Sequence, residues 1–513
     1  MAAPTLARQW WLAAAVVVAV AGAAWVGAGV MARRTVAAAV PALPDLATLP
    51  AAVQTAVREA EAAARATPDA ATVGTFGRAC HAAQLADCAL GAYRMAEALA
   101  PDDTSWTYHR ALLLEERGDD AVVGALVRVT TAQPAHGHAW FRLGEAHFKR
   151  GRLDDAAAAY TRAEAAPAVA AFTPPGVTSR QTWPIGAYAG IGLARVALER
   201  GDKAAAQVRL TALAAAYPAF APARGLLRQL DARAASTAGS YVPPVDPVVD
   251  AIVVQSRHSD VLLKYAGLAT RAGDTAWREY LVRRALEFNG GDLNVLMAMA
   301  ELLQDTRRPA EALTYLERYE ALAPGDHHAL VEHGRVLGDL DRLAEAEAML
   351  RRALPMRDAA AEYNLGTVLD RMNRWDEARA HYERAIALNP FHARAMNNLA
   401  SGLNRRGQTA RAIDLFERAI AITPDAADVH VNYGIALTDA RRFDQAIAVL
   451  ATAVSLDPRD PNPHNNLGIT FASMGDLPRA RDAFARALEL NPRHANARRN
   501  LDRVTAMLQS GRP

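Results

Sequence analysis

Residues 359–390 read AAAEYNLGTVLDRMNRWDEARAHYERAIALNP. Count Ala359 as position 1. Positions 4, 7, 8 and 11, which include Leu365 and Gly366, fall on one side of a helix at i, i+3, i+4, i+7 spacing. Positions 20, 24 and 27 (Ala378, Tyr382 and Ala385) do the same in a second helix. Small residues at 8 and 20 let the two backbones approach closely. Pro390 at position 32 ends the second helix, because its ring and missing N–H cannot continue the ladder. The stretch therefore predicts two short helices and a turn, neither of which can bury its apolar face alone.

The same register returns downstream. The stretch from Ala393 has Leu399, Ala400, Ala412, Phe416, Ala419 and Pro424. The stretch from Ala427 has Tyr433, Gly434, Ala446, Leu450, Ala453 and Pro458. That from Pro461 has Leu467, Gly468, Ala480, Phe484, Ala487 and Pro492. Position 6 is the least expected. It holds Asn364, Asn398, Asn432, Asn466 and Asn500, each 34 residues from the next. Asn is a poor helix-interior residue, so this ladder is not a product of propensity. Position 15 carries Gly407 and Gly475, which suit a helix C-terminus. Upstream the register continues with more wear through stretches beginning at Ser259, Leu293 and His327, the last two residues short. After a break it recurs in stretches beginning at Ala70, Asp103, Gly137 and Ala187.

This pattern resembles the tetratricopeptide repeat. The resemblance implies an all-α, right-handed α-solenoid of helix-turn-helix repeats in two blocks. The first block is expected over 70–235, with a loop insertion at 168–186. The second is expected over 259–494 and closes on a capping helix within 495–513. Residues 236–258 read as a linker, in which the apolar run Val248–Val254 marks a part that packs. Residues 32–69 read as a Pro/Ala-rich spacer and a lead-in helix.

The amino-terminal end is of another kind. After a tail at 1–9, Trp10–Met31 runs 22 residues without a charge, long enough to span a bilayer core of about 30 Å. It reads as a single transmembrane helix preceding the solenoid, or as a signal sequence cleaved near Ala21-Gly22-Ala23. With the amino terminus inside, either reading exports the rest of the chain, and the anchor is the favoured one, so the expectation is a bacterial inner-membrane protein with its repeats in the periplasm. The formal net charge of +2 gives no global reason to expect nucleic acid.

On a helical wheel, position 6 lies about 150° from the packed face, with positions 2, 9 and 13 on its side. The family resemblance implies that this stripe lines the concave surface. The second block looks similar to the repeat region of O-linked N-acetylglucosamine transferases, where an asparagine ladder holds an extended polypeptide. Asn364, Asn398, Asn432, Asn466 and Asn500 are therefore candidate contacts to a peptide backbone. The bland alternative is a consensus residue that contacts neighbouring repeats. Arg371, Arg394 and Arg405, at positions 13, 2 and 13, resemble part of the carboxylate clamp of chaperone-binding tetratricopeptide domains, without its lysine. They are expected to favour an acidic part or C-terminus of the peptide. The corresponding position-6 residues upstream are Thr75, Tyr108, Arg142 and Gly192, then Lys264, Ala298 and Glu332.

Cys80 and Cys88 are the only cysteines. They read as a disulfide in an oxidising compartment or as two small buried thiols. Two cysteines with no companion cluster make no zinc site. No phosphate-binding glycine loop, HExxH or GxSxG occurs, so neither cofactor nor small-molecule substrate is expected. The reading is a non-catalytic, membrane-anchored adaptor that binds a partner protein or extended peptide. The alternative is a substrate-presenting subunit of a separate enzyme such as a glycosyltransferase.

Overall fold

The computed structural model describes residues 34–170, 172–174, 182–231 and 244–510, together with residues 31, 177 and 180. Among these residues the secondary structure is helical, without a strand. The segment expected to be a transmembrane helix, Trp10–Met31, lies outside them except for its last residue. Among the described residues no helix is long and apolar enough to cross a membrane.

The chain divides into two compact units, Met1–Leu302 and Leu303–Pro513. In the first, a helix Ala51–Ala66 precedes four helix pairs that begin at Ala70, Ser105, Gly137 and Ile185. A further helix, Ala221–Asp231, follows the fourth pair. The segment read as a linker holds the helix Pro247–Gln255, and the pair Ser259–Ala272 and Thr275–Phe288 belongs to this unit as well. The second unit contains pairs that begin at His327, Ala359, Ala393, Ala427 and Pro461, closed by the helix Ala495–Ser510.

Where position 8 is glycine, one repeated contact locks the pair, between that glycine in the first helix and position 24 in the second. A Cβ added at Gly366 would meet the Tyr382 ring at 2.8 Å, and one at Gly434 would meet Leu450 at 2.5 Å. Glycine at position 8 thus admits a large side chain from position 24. Tyr160, Tyr382, Phe416 and Phe484, all at that position, are fully buried. Each such side chain stabilises the stack by about 1.5–3 kcal/mol relative to exposure.

The turn inside each pair of the second unit takes a left-handed residue at position 15. Gly407 and Gly475 take it at φ +77° and +83°. Where glycine is missing the backbone does not change: Asp341, Asn373 and Arg441 adopt φ of about 60° at the same position. The short repeat has its own explanation. Its second helix, Leu343–Ala353, stops early at Pro355, which sits in a 3-10 turn at Leu354–Met356 followed by a left-handed Arg357.

Candidate functional site

In the second unit the asparagine ladder lies half-buried along the first helices of the repeats. Its amides are partly engaged with each other across repeats. Asn398 Nδ2 donates to Tyr363 Oη at 3.5 Å, and Asn397 Nδ2 donates to Asn398 Oδ1 at 3.4 Å. Asn432 Nδ2 then donates to Asn397 Oδ1 at 3.0 Å, so one polar chain crosses three repeats. Asn500 Nδ2 donates to Asn465 Oδ1 at 3.1 Å.

The rule behind this chain is simple. A position-6 asparagine donates to position 5 of the preceding repeat when that residue can accept. Tyr363, Asn397 and Asn465 can. Position 5 is valine ahead of the other two asparagines, Val331 before Asn364 and Val431 before Asn466. Among the described residues, Asn364 and Asn466 make no side-chain hydrogen bond. Each presents two donors and an acceptor on a face with no lateral partner.

The arginines divide in the same way. Arg371 pairs with Asp341 at 3.0 Å and donates to the Gly338 carbonyl at 2.6 Å. Arg405 pairs with Asp370 at 3.0 Å. Both bonds reach back to the preceding repeat, so these cations are partly compensated rather than open clamps. Arg394 is exposed and has no ion pair among the described residues. Ile435 and Ile469, at position 9, add exposed apolar surface to this face.

In the first unit the same stripe is covered by the chain itself. Tyr108, at position 6, donates from Oη to Asp246 Oδ2 at 2.6 Å. Arg142, the next position-6 residue, donates to the same oxygen from Nη2 at 3.0 Å and also pairs with Glu115. At position 2, the ring of His138 meets the Val245 carbonyl through Nε2 at 2.9 Å. At position 13, the Ala82 carbonyl accepts from Ser256 Oγ at 3.0 Å. Asp246 also caps the helix Pro247–Gln255 through Val248 N, with proline at the first helical position, where its missing N–H costs nothing.

The outer side of that helix is held by the insertion loop. The Arg180 side chain is 3% exposed; it pairs with Asp250 at 2.6 Å and with Asp274 at 2.9 Å. Its guanidinium lies 4.3 Å from the Trp277 ring centroid. Burial pushes the Asp246 carboxyl up, but Arg142, His138 and the bonds from Tyr108 and Arg142 overcome it and hold the group at about 2. Asp250 goes the other way. Burial raises it to about 6, only partly offset by Arg180, and Asp246 and Asp274 add to the rise.

Cys80 and Cys88 are both buried and form a disulfide across the turn of the first pair, with Cα atoms 6.0 Å apart. Among the described residues no group of His, Cys, Asp and Glu is placed to hold a metal ion.

Sequence reasoning placed Tyr108 and Arg142 in the correct register. It did not foresee their partner, nor the roles of Asp246, Asp250, Asp274 and Arg180. The available signal was that two position-6 residues break the pattern with a phenol and a cation.

Three family models, each described as a tetratricopeptide repeat, match the chain. One matches residues 123–170 and 363–427, another 403–466, and the third 461–494. The chain thus carries tetratricopeptide repeats in both units. Proteins built from such repeats act as protein-interaction scaffolds. These are general repeat models and lend no support to the narrower likeness to O-linked N-acetylglucosamine transferases.

Among solved structures, 448 chains match. One is YrrB, described as a tetratricopeptide protein with an unusual peptide-binding site. It is 21% identical with a TM-score of 0.31, covering 36% of this chain and 95% of that one. Another belongs to the Cut9–Hcn1 hetero-tetramer of APC/C. It is 13% identical with a TM-score of 0.43, covering 84% of this chain and 95% of that one. A third is TTC0263, a thermophilic tetratricopeptide protein of Thermus thermophilus. It is 23% identical with a TM-score of 0.31, covering 35% of this chain and all of that one. No curated protein matches the chain in sequence.

Proposed function

We propose that this chain is a non-catalytic scaffold that holds an extended segment of a partner protein along the position-6 face of the second unit. The carrying observation is the pair Asn364 and Asn466, whose amides have no lateral acceptor because valine precedes each of them at position 5. An amide that can both donate and accept reads peptide backbone whatever the side chains. Ile435 and Ile469 offer apolar contact between these sites. Arg394, with Arg371 and Arg405 in support, favours an acidic stretch or C-terminus of the bound segment. Asn398, Asn432 and Asn500 stiffen the face and offer their remaining lone pairs and N–H groups.

The test is affinity capture from native membranes with the Asn364→Ala/Asn466→Ala double variant. Loss of the partners retained by the wild type is the expected result. Unchanged recovery of every partner sinks the reading. A co-purifying enzyme in stoichiometric amount selects the alternative, in which the repeats present substrate to a separate catalytic chain.

We also infer that Trp10–Met31 anchors the chain in a bacterial inner membrane with the repeats in the periplasm. The charge-free length of that stretch and the pairing of Cys80 with Cys88, a bond typical of oxidising compartments, support this. A C-terminal alkaline phosphatase fusion is expected to be active. An inactive phosphatase fusion beside a fluorescent cytoplasmic one reverses the orientation.

A further inference from the structure

The face that the second unit leaves open is, in the first unit, filled by the chain's own segment 244–257. Its contacts fall on positions 2, 6 and 13 of the first repeats, through His138, Tyr108, Arg142 and the Ala82 carbonyl. These are the positions at which a bound peptide is expected in the second unit. The segment also has the form of a bound peptide, a short extended run through Pro244–Val245 leading into a helix capped by Asp246. Ile252 is buried in the apolar cluster of the first repeats, and Val248 and Val249 pack against it.

Apolar packing and paired charge hold the segment together. Asp246 is gripped by Arg142 and Tyr108, and Asp250 by Arg180. Buried ion pairs add little net stability over apolar packing, yet they discriminate strongly between partners. A partly open pocket of about 160 Å³ lies beside the segment, lined by Leu112, Glu116, Val249, Tyr265 and Trp277.

We propose that the position-6 face of the first unit is a second peptide site, occupied in cis by residues 244–257, which a partner of matching chemistry displaces. The occupant defines that chemistry. It is an aspartate at the mouth of a short helix, a second acidic residue four positions on, and apolar residues three, six and seven positions after the first aspartate. In this chain they are Asp246, Asp250, Val249, Ile252 and Val253. The inference takes its position-6 analogy from the proposed function, but the two fail separately, because alanines at Asn364 and Asn466 leave residues 244–257 untouched.

Hydrogen exchange on the unmodified full chain is the first test. Amides of 248–257 are expected to exchange through an opening that leaves the helices of 70–164 protected. Exchange of both only in one global event overturns the proposal. The second test uses a labelled synthetic peptide of residues 244–257. The Asp246→Ala chain, whose own segment is loosened, is expected to bind it at least about 30-fold more tightly than the wild type does, the ordinary scale for losing one partner of a buried charge pair. The same peptide with alanine in place of its aspartate is expected to bind correspondingly more weakly. Failure of the Asp246→Ala chain to bind the native peptide, with 70–164 still protected, overturns the proposal. If that variant does not fold, the exchange pattern of the unmodified chain decides alone.

Discussion

Position 6 does opposite work in the two units. In the second unit it is an asparagine in every ladder repeat, half-buried, bonded sideways to its neighbour or left unengaged. In two successive repeats of the first it is Tyr108 and Arg142, turned onto a carboxylate from a distant part of the same chain. The scaffold is of one kind: Gly144 admits Tyr160 in the repeat of Arg142 as Gly366 admits Tyr382 in the ladder. The difference is therefore not one of fold. A neutral amide leaves a surface that any peptide backbone satisfies. A cation and a phenol at the same place demand an anion, and Asp246 supplies it.

The largest break in this contrast is expected from Arg142→Ala. It leaves the buried Asp246 carboxylate with Tyr108 but no guanidinium, which costs the docked state of the first unit about 3–5 kcal/mol. Urea unfolding followed by a probe in each unit is expected to show the loss in the first unit only.

Next in size is a pH effect. Asp250 binds its proton more tightly folded, at about 6, than unfolded, near 3.8. The folded state therefore holds the extra proton between those values, and stability falls as pH rises from about 4 to 6. The linkage amounts to roughly 3 kcal/mol. Asp246 has the reverse sign: its contribution is present above 3.8 and is lost as pH falls towards 2. Asp250→Asn is expected to flatten the fall between pH 4 and 6, measured by denaturant midpoints across that range.

Smaller effects belong to the second unit. Asn432→Ala strands the buried Asn397 oxygen and is expected to cost about 1 kcal/mol. Asn466→Ala removes no lateral bond and is expected to stay within about 0.5 kcal/mol, while weakening ligand capture. Equal losses of stability for the two would show that the ladder is structural throughout. Arg441→Gly, at the left-handed position 15, is expected to raise stability by about 1 kcal/mol. It leaves both position-6 faces as they are, and thermal melting checks it.

Much of the fold was legible because its determinants are local and periodic. Gly366 and Tyr382, Gly434 and Leu450, Gly468 and Phe484 are sixteen residues apart and mark their helix pairs without help from the rest of the chain. The candidate site was legible only in part. Sequence placed the five asparagines on one face, yet the distinction between Asn432 and Asn466 rests on what the preceding repeat offers across the gap. Arg371 and Arg405 read as open cations, and each proves to be paired with an aspartate of the repeat before it. That bond spans about a repeat length, and helix propensity does not report it.

The sequence by itself determined the repeat, its period, the turn positions and the face that the asparagines share. These follow from side-chain spacing on a helix of known pitch and from residues such as Pro390 and Gly407, whose backbone limits act locally. Only the tertiary structure decided that one of the two faces is already filled. The bond from Tyr108 to Asp246 joins residues 138 apart in the chain. No periodicity carries that information, because pairing two buried charges depends on where the folded chain returns, and the same aspartate in a true linker would simply be solvated.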